Sequence, residues 1–229
     1  MARRKSVNAT RIRIVQVATR MFLERGYSNT SVKAIADELG ISTGHVTFYY
    51  PTKEHLLTVL VEMLCDFQWK MMQHTVDEGQ TSLMAVCLEL VAMAAICEEN
   101  SIAKDFYLSA YTNVRSLEKI RRSDARRAKD VFGAYCPDWT EEAFVEAETL
   151  VSGIEYATLM TTPDAAPLDV RIAGGLNQIM VIYHVPEEIR SAKIGKVLSM
   201  DYGSLGRRIL KEFMEYIDRA ADQVFEPPG

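Results

Sequence analysis

Residues 26–54 constrain the fold of this chain more than any other stretch, because they combine two short helical patterns with a glycine between them. The apolar positions of the first pattern recur on one helical face: Val32, Ile35, Ala36 and Leu39. Gly40 follows, and glycine adopts the positive φ of a helix end without the steric cost of a Cβ atom. The pattern therefore predicts a helix that ends at Gly40.

A second, shorter helix is predicted immediately after this turn. Ser42 or Thr43 can cap its N-terminus, and Pro51 ends it because the residue before a proline disfavours the helical region. A helix of about two turns cannot bury its own surface and must be held by its neighbours. Its outward side chains are polar or aromatic and suit base edges and phosphates: Thr43, His45, Thr47, Phe48 and Tyr49.

The order helix, glycine turn, helix is that of the helix-turn-helix, whose second helix enters the major groove of DNA. An ordinary helical hairpin has the same order, so the flanking sequence has to separate the two interpretations. Upstream, residues 14–22 form an amphipathic helix that ends before Gly26 and supplies a third helix. Downstream, Thr52 can cap a long helix, and Lys53 stands where a backbone phosphate could bind.

The whole run resembles the N-terminal domain of the TetR family of bacterial transcription regulators. The resemblance covers roughly a quarter of the chain and is carried by these segments: residues 18–22, 24–27, 30–36, 39–44, 48–50 and 53–57. It implies that the operator is contacted by these residues: Ser31, Lys33, Ser42, Thr43, Gly44, His45, Thr47, Phe48, Tyr49 and Lys53. Two positions depart from the family pattern, since Thr47 replaces a common aromatic residue and Tyr50 replaces a common phenylalanine.

The charge distribution is consistent with a DNA-binding N-terminus. Residues 1–55 contain nine Lys or Arg against four Asp or Glu, which gives +5 and leaves −10 for the rest of a chain whose net charge is −5. Lys and Arg displace counterions from phosphates, while an acidic remainder discourages other modes of docking.

The rest of the sequence predicts an all-α protein. An N-terminal three-helix helix-turn-helix domain, residues 8–55 with the motif at 31–50, is followed by a larger C-terminal helical domain for ligand binding and dimerisation, residues 56–229. Its helices are predicted at residues 54–74, 82–97, 101–113, 116–135, 140–161, 168–184, 187–199 and 203–222. Residues 181–183 leave some ambiguity with a strand.

Two apolar stripes in this domain are candidates for a dimer interface, although either could be ordinary core. They comprise Phe144, Ala147, Val151 and Ile154, and Leu205, Ile209, Phe213 and Ile217. The family resemblance implies that two late helices pair across a two-fold axis, and a two-fold dimer would read a palindromic operator. We therefore expect a homodimer, with one or two dimers on each operator.

A small-molecule pocket is the second expectation for the helical body. Adaptable and aromatic side chains that could line it are Trp69, Met72, Met93, Phe106, Tyr107, Tyr111, Tyr156 and Met160, although such residues at helical spacing more often form packed core. Seven Lys and Arg crowd residues 115–129, where a solvated face is favoured over an anion site or a second DNA contact. The helix predicted at 54–74 could transmit ligand binding to the DNA-binding domain.

No signature of catalysis, of a metal site or of a cofactor site is present. The sequence lacks GxSxG, HExxH, GxGxxG and P-loop motifs, and its cysteines and histidines have no ligand-type spacing. No apolar run is long enough to span a bilayer. The cysteine pattern and an N-terminus without the apolar core of a signal peptide predict a cytoplasmic location. The sequence favours a ligand-released repressor, with a non-specific architectural DNA-binding protein or a small-molecule enzyme as alternatives.

Overall fold

The computed structural model describes residues 2–75 and 83–223, and within them the chain forms eleven helices and no strand. The helices are α1 (Ala2–Arg25), α2 (Val32–Leu39), α3 (Thr43–Tyr49), α4 (Lys53–Thr75), α5 (Leu83–Glu99), α6 (Ser101–Thr112), α7 (Val114–Phe132), α8 (Glu141–Leu159), α9 (Leu168–Ile182), α10 (Glu187–Leu198) and α11 (Tyr202–Gln223). The predicted all-α class is confirmed, and the strand ambiguity at residues 181–183 is resolved because α9 continues through Ile182.

Helices α1, α2 and α3 form the N-terminal head, which packs around a small apolar core. Ile14 and Phe22 from α1, Ile35 from α2 and Val46 from α3 are completely buried in it. The α1 helix begins at Ala2, well before the predicted start near Ile14. The N-terminal domain is therefore a three-helix unit, as the sequence predicts.

The body is built around α5, which is apolar on every side and therefore buried along most of its length. Helices α4, α6, α8, α9, α10 and α11 pack against it. Helix α4 leaves the head without a break and enters the body, so the domain boundary predicted at residue 55 falls inside a continuous helix. No helix in the described part of the chain is long and apolar enough to cross a membrane.

The two apolar stripes predicted for a dimer interface belong to the protomer's own core. Phe144, Ala147 and Val151 on α8 are buried, and Ile154 is half-buried. The second stripe on α11 is buried as well: Leu205, Ile209, Phe213 and Ile217. It packs against α5, α1 and α4, and it cannot contact a partner without opening the protomer. The prediction that these residues form an interface is therefore corrected.

Candidate nucleic-acid interface and body cavity

The turn between α2 and α3 is fixed by local hydrogen bonds. Ser31 caps α2 by accepting a hydrogen bond from the Ala34 amide at 3.1 Å, and Ser42 caps α3 by accepting one from the His45 amide at 3.2 Å. Gly40 ends α2 with a φ of 66°, a left-handed conformation that favours glycine. These contacts set the direction in which α3 leaves the turn.

Helix α3 has one face toward the head and one toward solvent. Val46 is buried, and the hydroxyl of the buried Tyr50, just past the helix end, donates to the Arg11 carbonyl at 3.4 Å. On the opposite face, the Phe48 side chain is 78% exposed, which is unusual for a large apolar residue. Its ring meets that of Tyr49 edge to face at 5.1 Å, and Tyr49 stacks on His45 at 5.6 Å. The outer face of α3 is therefore an exposed aromatic and polar surface.

The residues predicted to contact DNA differ in how far they are exposed. Those that are exposed are Ser31, Lys33, Ser42, Thr43, Gly44, His45 and Phe48, while Thr47, Tyr49 and Lys53 are half-buried. The Thr47 hydroxyl donates to the Gly44 carbonyl at 3.2 Å, so in this state it is directed along the helix.

Lys53 is held against the α1–α2 loop. Its Nζ donates to the Tyr27 carbonyl at 3.0 Å and lies 4.0 Å from the centre of the Tyr27 ring. Burial, together with the nearby carboxylates of Glu54 and Asp105, raises the pKa of Tyr27 to about 12. An ammonium group has three donors, so Lys53 keeps donors for a phosphate while it braces this loop.

A short α3 that is capped by Ser42, anchored by Val46 and open on its outer face defines a helix-turn-helix DNA-binding domain. Residues 14–60 match the family described as bacterial regulatory proteins, tetR family. The chain thus carries an N-terminal domain of the TetR family, which confirms the resemblance seen in the sequence.

Two curated relatives match part of this chain. The HTH-type transcriptional regulator HbdR of Aromatoleum sp. (strain CIB) is 26% identical over 118 residues, which cover 52% of this chain and 50% of HbdR. The HTH-type transcriptional repressor KstR2 of Mycobacterium tuberculosis is 32% identical over 77 residues, or 34% of this chain and 38% of KstR2. The chain thus spans about half the length of the first relative and less of the second.

A comparison with solved structures gives two matches of low sequence identity and low TM-score. The TetR family protein CprB from S. coelicolor A3(2) is 20% identical, with a TM-score of 0.46 over 83% of this chain and 98% of that protein. A gamma-butyrolactone receptor, described as an ArpA-like protein, is 19% identical, with a TM-score of 0.41 over 90% of this chain and 98% of that protein.

The body contains a cavity with about 700 Å³ of empty space, part of it open to solvent. Of the eight predicted pocket residues, Trp69, Met93, Tyr107 and Tyr111 line it. The other four do not form part of the described lining: Phe106, Tyr156 and Met160 lie elsewhere, and the side chain of Met72 is outside the described residues. Half of the residues that the sequence suggests for a pocket therefore line this cavity.

Sequence reasoning missed the charged groups of this cavity. Its wall carries four carboxyl groups and one guanidinium: Glu89, Asp124, Glu148, Glu155 and Arg127. The sequence favours a solvated face for the basic residues of α7, but the Arg127 side chain is only 11% exposed. The sequence signal for a buried charge was Glu89, a single charged residue within the apolar stretch of α5.

Arg127 is fully engaged inside the body. Its Nη1 atom lies 3.5 Å from Glu89 and 3.3 Å from Asp124, its Nη2 atom donates to the Cys65 carbonyl, and its guanidinium lies 5.2 Å from the centre of the Trp69 ring. Burial lowers the pKa of Arg127, but the two carboxylates outweigh that effect and raise it overall. Arg127 therefore stays charged and is balanced by groups already present.

Glu148 differs from the other carboxyl groups because it is only partly satisfied. Its side chain is 2% exposed, and its Oε1 atom accepts a hydrogen bond from the Tyr183 hydroxyl. Its Oε2 atom is buried without a hydrogen-bond partner among the residues that the structure describes. Burial raises the pKa of Glu148 to about 7, even though the Tyr183 hydrogen bond lowers it.

Two helices connect this cavity to the head. Helix α4 contributes Gln68 and Trp69 to the cavity wall and begins beside the recognition helix at Lys53. Helix α6 contributes Tyr107 and Tyr111, and on its other side the carboxylate of Asp105 accepts hydrogen bonds from the amide of Ser28, at 2.8 Å, and from its hydroxyl. The α1–α2 loop is thus tied to a helix that lines the cavity.

Proposed function

We propose that this protein is a transcriptional repressor that binds a palindromic operator as a homodimer and is released from it by a small molecule. In this proposal, residues 8–55 read the DNA, residues 56–229 bind the ligand and form the dimer, and α4 joins the two. The observation that carries it is the outer face of α3, where Phe48 is held in solvent by a helix whose inner face is anchored in the core. The relation to a named repressor, KstR2, supports repression over activation.

The predicted DNA contacts separate into two kinds. In this proposal, the exposed aromatic and polar side chains on the outer face of α3 read base edges, while the exposed Lys33 on the adjacent α2 neutralises a phosphate. Ser31 and Ser42 use their oxygens as helix caps, and their hydroxyl hydrogens can still be donated to phosphates. Lys53 would contribute a phosphate contact only with its remaining donors.

The proposed dimer uses surfaces of α8 and α9 that the protomer leaves exposed. On α8, exposed Leu150 lies in one row with exposed Gly153 and Ala157, and exposed Met160 follows the helix end. On α9, Val170 and Val181 are exposed, with Gly174 between them. A Cβ atom added at Gly153 or Gly174 would meet no heavy atom within 4 Å, so the protomer offers room for a partner helix there. Two such faces can pair as an antiparallel four-helix interface.

The proposed ligand response follows from the two connections between cavity and head. A ligand that separates the cavity walls would move α4 and α6 relative to each other, and each of these helices contacts the head. A homodimer on DNA must hold its recognition helices about 34 to 36 Å apart, so a small displacement of each head would weaken binding. The ligand must bind one spacing more tightly than the other, because equal affinity for both shifts nothing.

The operator can be obtained by selection from random duplexes, and binding then measured by fluorescence anisotropy. Phe48→Ala is expected to weaken operator binding about tenfold or more, within the range of about 1–3 kcal/mol for a base-edge contact. Lys33→Ala is expected to weaken all sequences alike and to lower the salt slope by about 1. Val114→Ala removes a side chain that is 81% exposed on the body and serves as the matched control.

Three results would contradict the proposal. Equal affinity for operator and random DNA would favour a non-specific architectural protein. Unchanged affinity in both head variants would remove the assigned face of α3. A monomer that binds the operator as tightly as the dimer would remove the two-fold reading of the site.

A further inference from the structure

The described cavity wall carries four carboxyl groups and one guanidinium, and the guanidinium already forms ion pairs within the wall. Arg127 is balanced by Glu89 and Asp124, which leaves Glu148 and Glu155. Glu155 accepts a hydrogen bond from the Tyr111 hydroxyl at 3.0 Å. Burial raises the pKa values of Glu89, Asp124 and Glu155 as well, because an apolar environment disfavours the charged form of a carboxyl group.

The unpartnered Oε2 of Glu148 is the second observation, and it is independent of the charge count. A buried polar atom without a partner costs free energy, and a buried charge without one costs more. Glu148 is nearly inaccessible from outside, yet it lines the cavity. A donor that enters the cavity at Glu148 can therefore satisfy an atom that the described residues leave without a partner.

The rest of the lining describes the body of such a ligand. Apolar side chains from three helices face the cavity beside the rings of Trp69 and Tyr107: Val61, Leu64, Val86 and Val151. Apolar lining and aromatic rings favour an apolar molecule, and aromatic faces also attract cations. An anion would instead have to displace the two carboxylates that hold Arg127.

We propose that the cavity binds an organic cation with an apolar body, whose ammonium group is held by Glu148 Oε2. The role of this cation as the signal for release from DNA rests on the proposed function above, whereas its binding to the cavity can be tested without DNA. The cation supplies the countercharge that Glu148 lacks, so binding keeps the carboxylate ionised inside the protein.

The test uses three eight-carbon probes with the same chain and different head groups: n-octylammonium, n-octanol and octanoate. Each is titrated into the full-length protein by isothermal calorimetry at pH 7.5 in the absence of DNA. We expect n-octylammonium to bind about tenfold or more tightly than n-octanol, a difference of about 1.4 kcal/mol. Octanoate is expected to bind weakest.

Glu148→Gln keeps the shape of the side chain and its hydrogen bond from Tyr183 but removes the charge. It is expected to abolish the preference for n-octylammonium over n-octanol while leaving n-octanol binding nearly unchanged. Glu146→Gln makes the same change at an exposed position of α8 and is expected to have no effect. Far-ultraviolet circular dichroism checks that both variants keep their helix content.

A second measurement begins with the wild-type protein. At pH 7, n-octylammonium is expected to release protons from the wild-type protein, measured by calorimetry in two buffers of different ionisation enthalpy. The ionisable groups that interact electrostatically with Glu148 are Glu89 on α5, Arg121, Asp124 and Arg127 on α7, Glu155 on α8 and Tyr183 after α9. Proton release that is lost in Glu148→Gln is assigned to Glu148.

The inference is overturned if the three probes bind alike, if none binds, if octanoate binds tightest, or if Glu148→Gln keeps the wild-type preference. Failure of the proposed function has a different signature. If n-octylammonium binds as expected but leaves operator affinity unchanged, the ligand response is refuted and the charge preference of the cavity stands. If the protein binds no operator, the calorimetric result is unaffected.

Discussion

Replacing Glu148 with glutamine should change how the stability of this protein depends on pH. The folded protein holds this carboxyl group with a pKa of about 7, against an ordinary value of 4.5. Between these two values the folded state binds more protons than the unfolded state, so the free energy of unfolding falls as the pH rises. The contribution of Glu148 is fully retained below about pH 4.5 and is lost as the pH passes through 7.

The size of this effect follows from the same two values. Each tenfold change in proton affinity is worth about 1.36 kcal/mol, so the wild-type protein is expected to lose about 3 kcal/mol of stability between pH 4.5 and pH 8 through this one group. Such a loss is a large part of the free energy of unfolding of a typical domain, which is about 5–15 kcal/mol. Glu148→Gln cannot ionise and is not subject to this loss.

Urea denaturation followed by circular dichroism at several pH values measures the difference, with the protomer concentration held constant because a dimer's stability depends on it. Glu148→Gln is expected to gain stability relative to the wild type as the pH rises, by up to about 3 kcal/mol at pH 8. Glu146→Gln, at an exposed position, should follow the wild-type curve. Parallel curves for wild type and Glu148→Gln would refute the reasoning that this carboxyl group is buried and unbalanced.

Three further predictions concern the interface, the link between the domains and the turn. Leu150→Glu, at a position that is 63% exposed on α8, should convert the proposed dimer to monomers in sedimentation velocity, and an unchanged dimer would exclude this face. Asp105→Ala removes the hydrogen bonds to Ser28 and should reduce the effect of n-octylammonium on operator affinity; a full response would remove α6 as a transmitter. Gly40→Ala should cost about 1 kcal/mol in chemical denaturation because of its left-handed φ, whereas Gly44→Ala inside α3 should be neutral or stabilising.

The head was predictable because its signals are local. The backbone geometry of Gly40 and Pro51 restricts where α3 can begin and end. Ser42 caps the helix by accepting a hydrogen bond from the amide of His45, only three residues away. Such effects depend on neighbouring residues and are visible in the sequence. The outward residues of α3 follow from the same periodicity, because a helix with one buried face must present the other to solvent.

The body shows where sequence reasoning stops. The apolar stripe that contains Val151 correctly indicates burial, but a stripe does not identify what buries it, and here it is the protomer's own core. The adjacent Leu150 is exposed and lies on the face that we now propose for the partner. Successive side chains of a helix are rotated by about 100°, so a residue of the protomer core and a residue of the proposed interface can be neighbours in the sequence.

The sequence by itself determined the all-α class, the glycine turn between α2 and α3, and the outward side of α3 that we propose faces DNA, because these depend on periodicity, capping and backbone geometry within a few residues. Only the tertiary structure decided that Arg127 turns inward to Glu89 and that Glu148 is buried beside Tyr183. These partners come from different helices, distant in the chain, and a charged residue in a helix is compatible with either solvent or a buried partner. The packing of the helices chooses between them, and with that choice it sets the charge of the cavity.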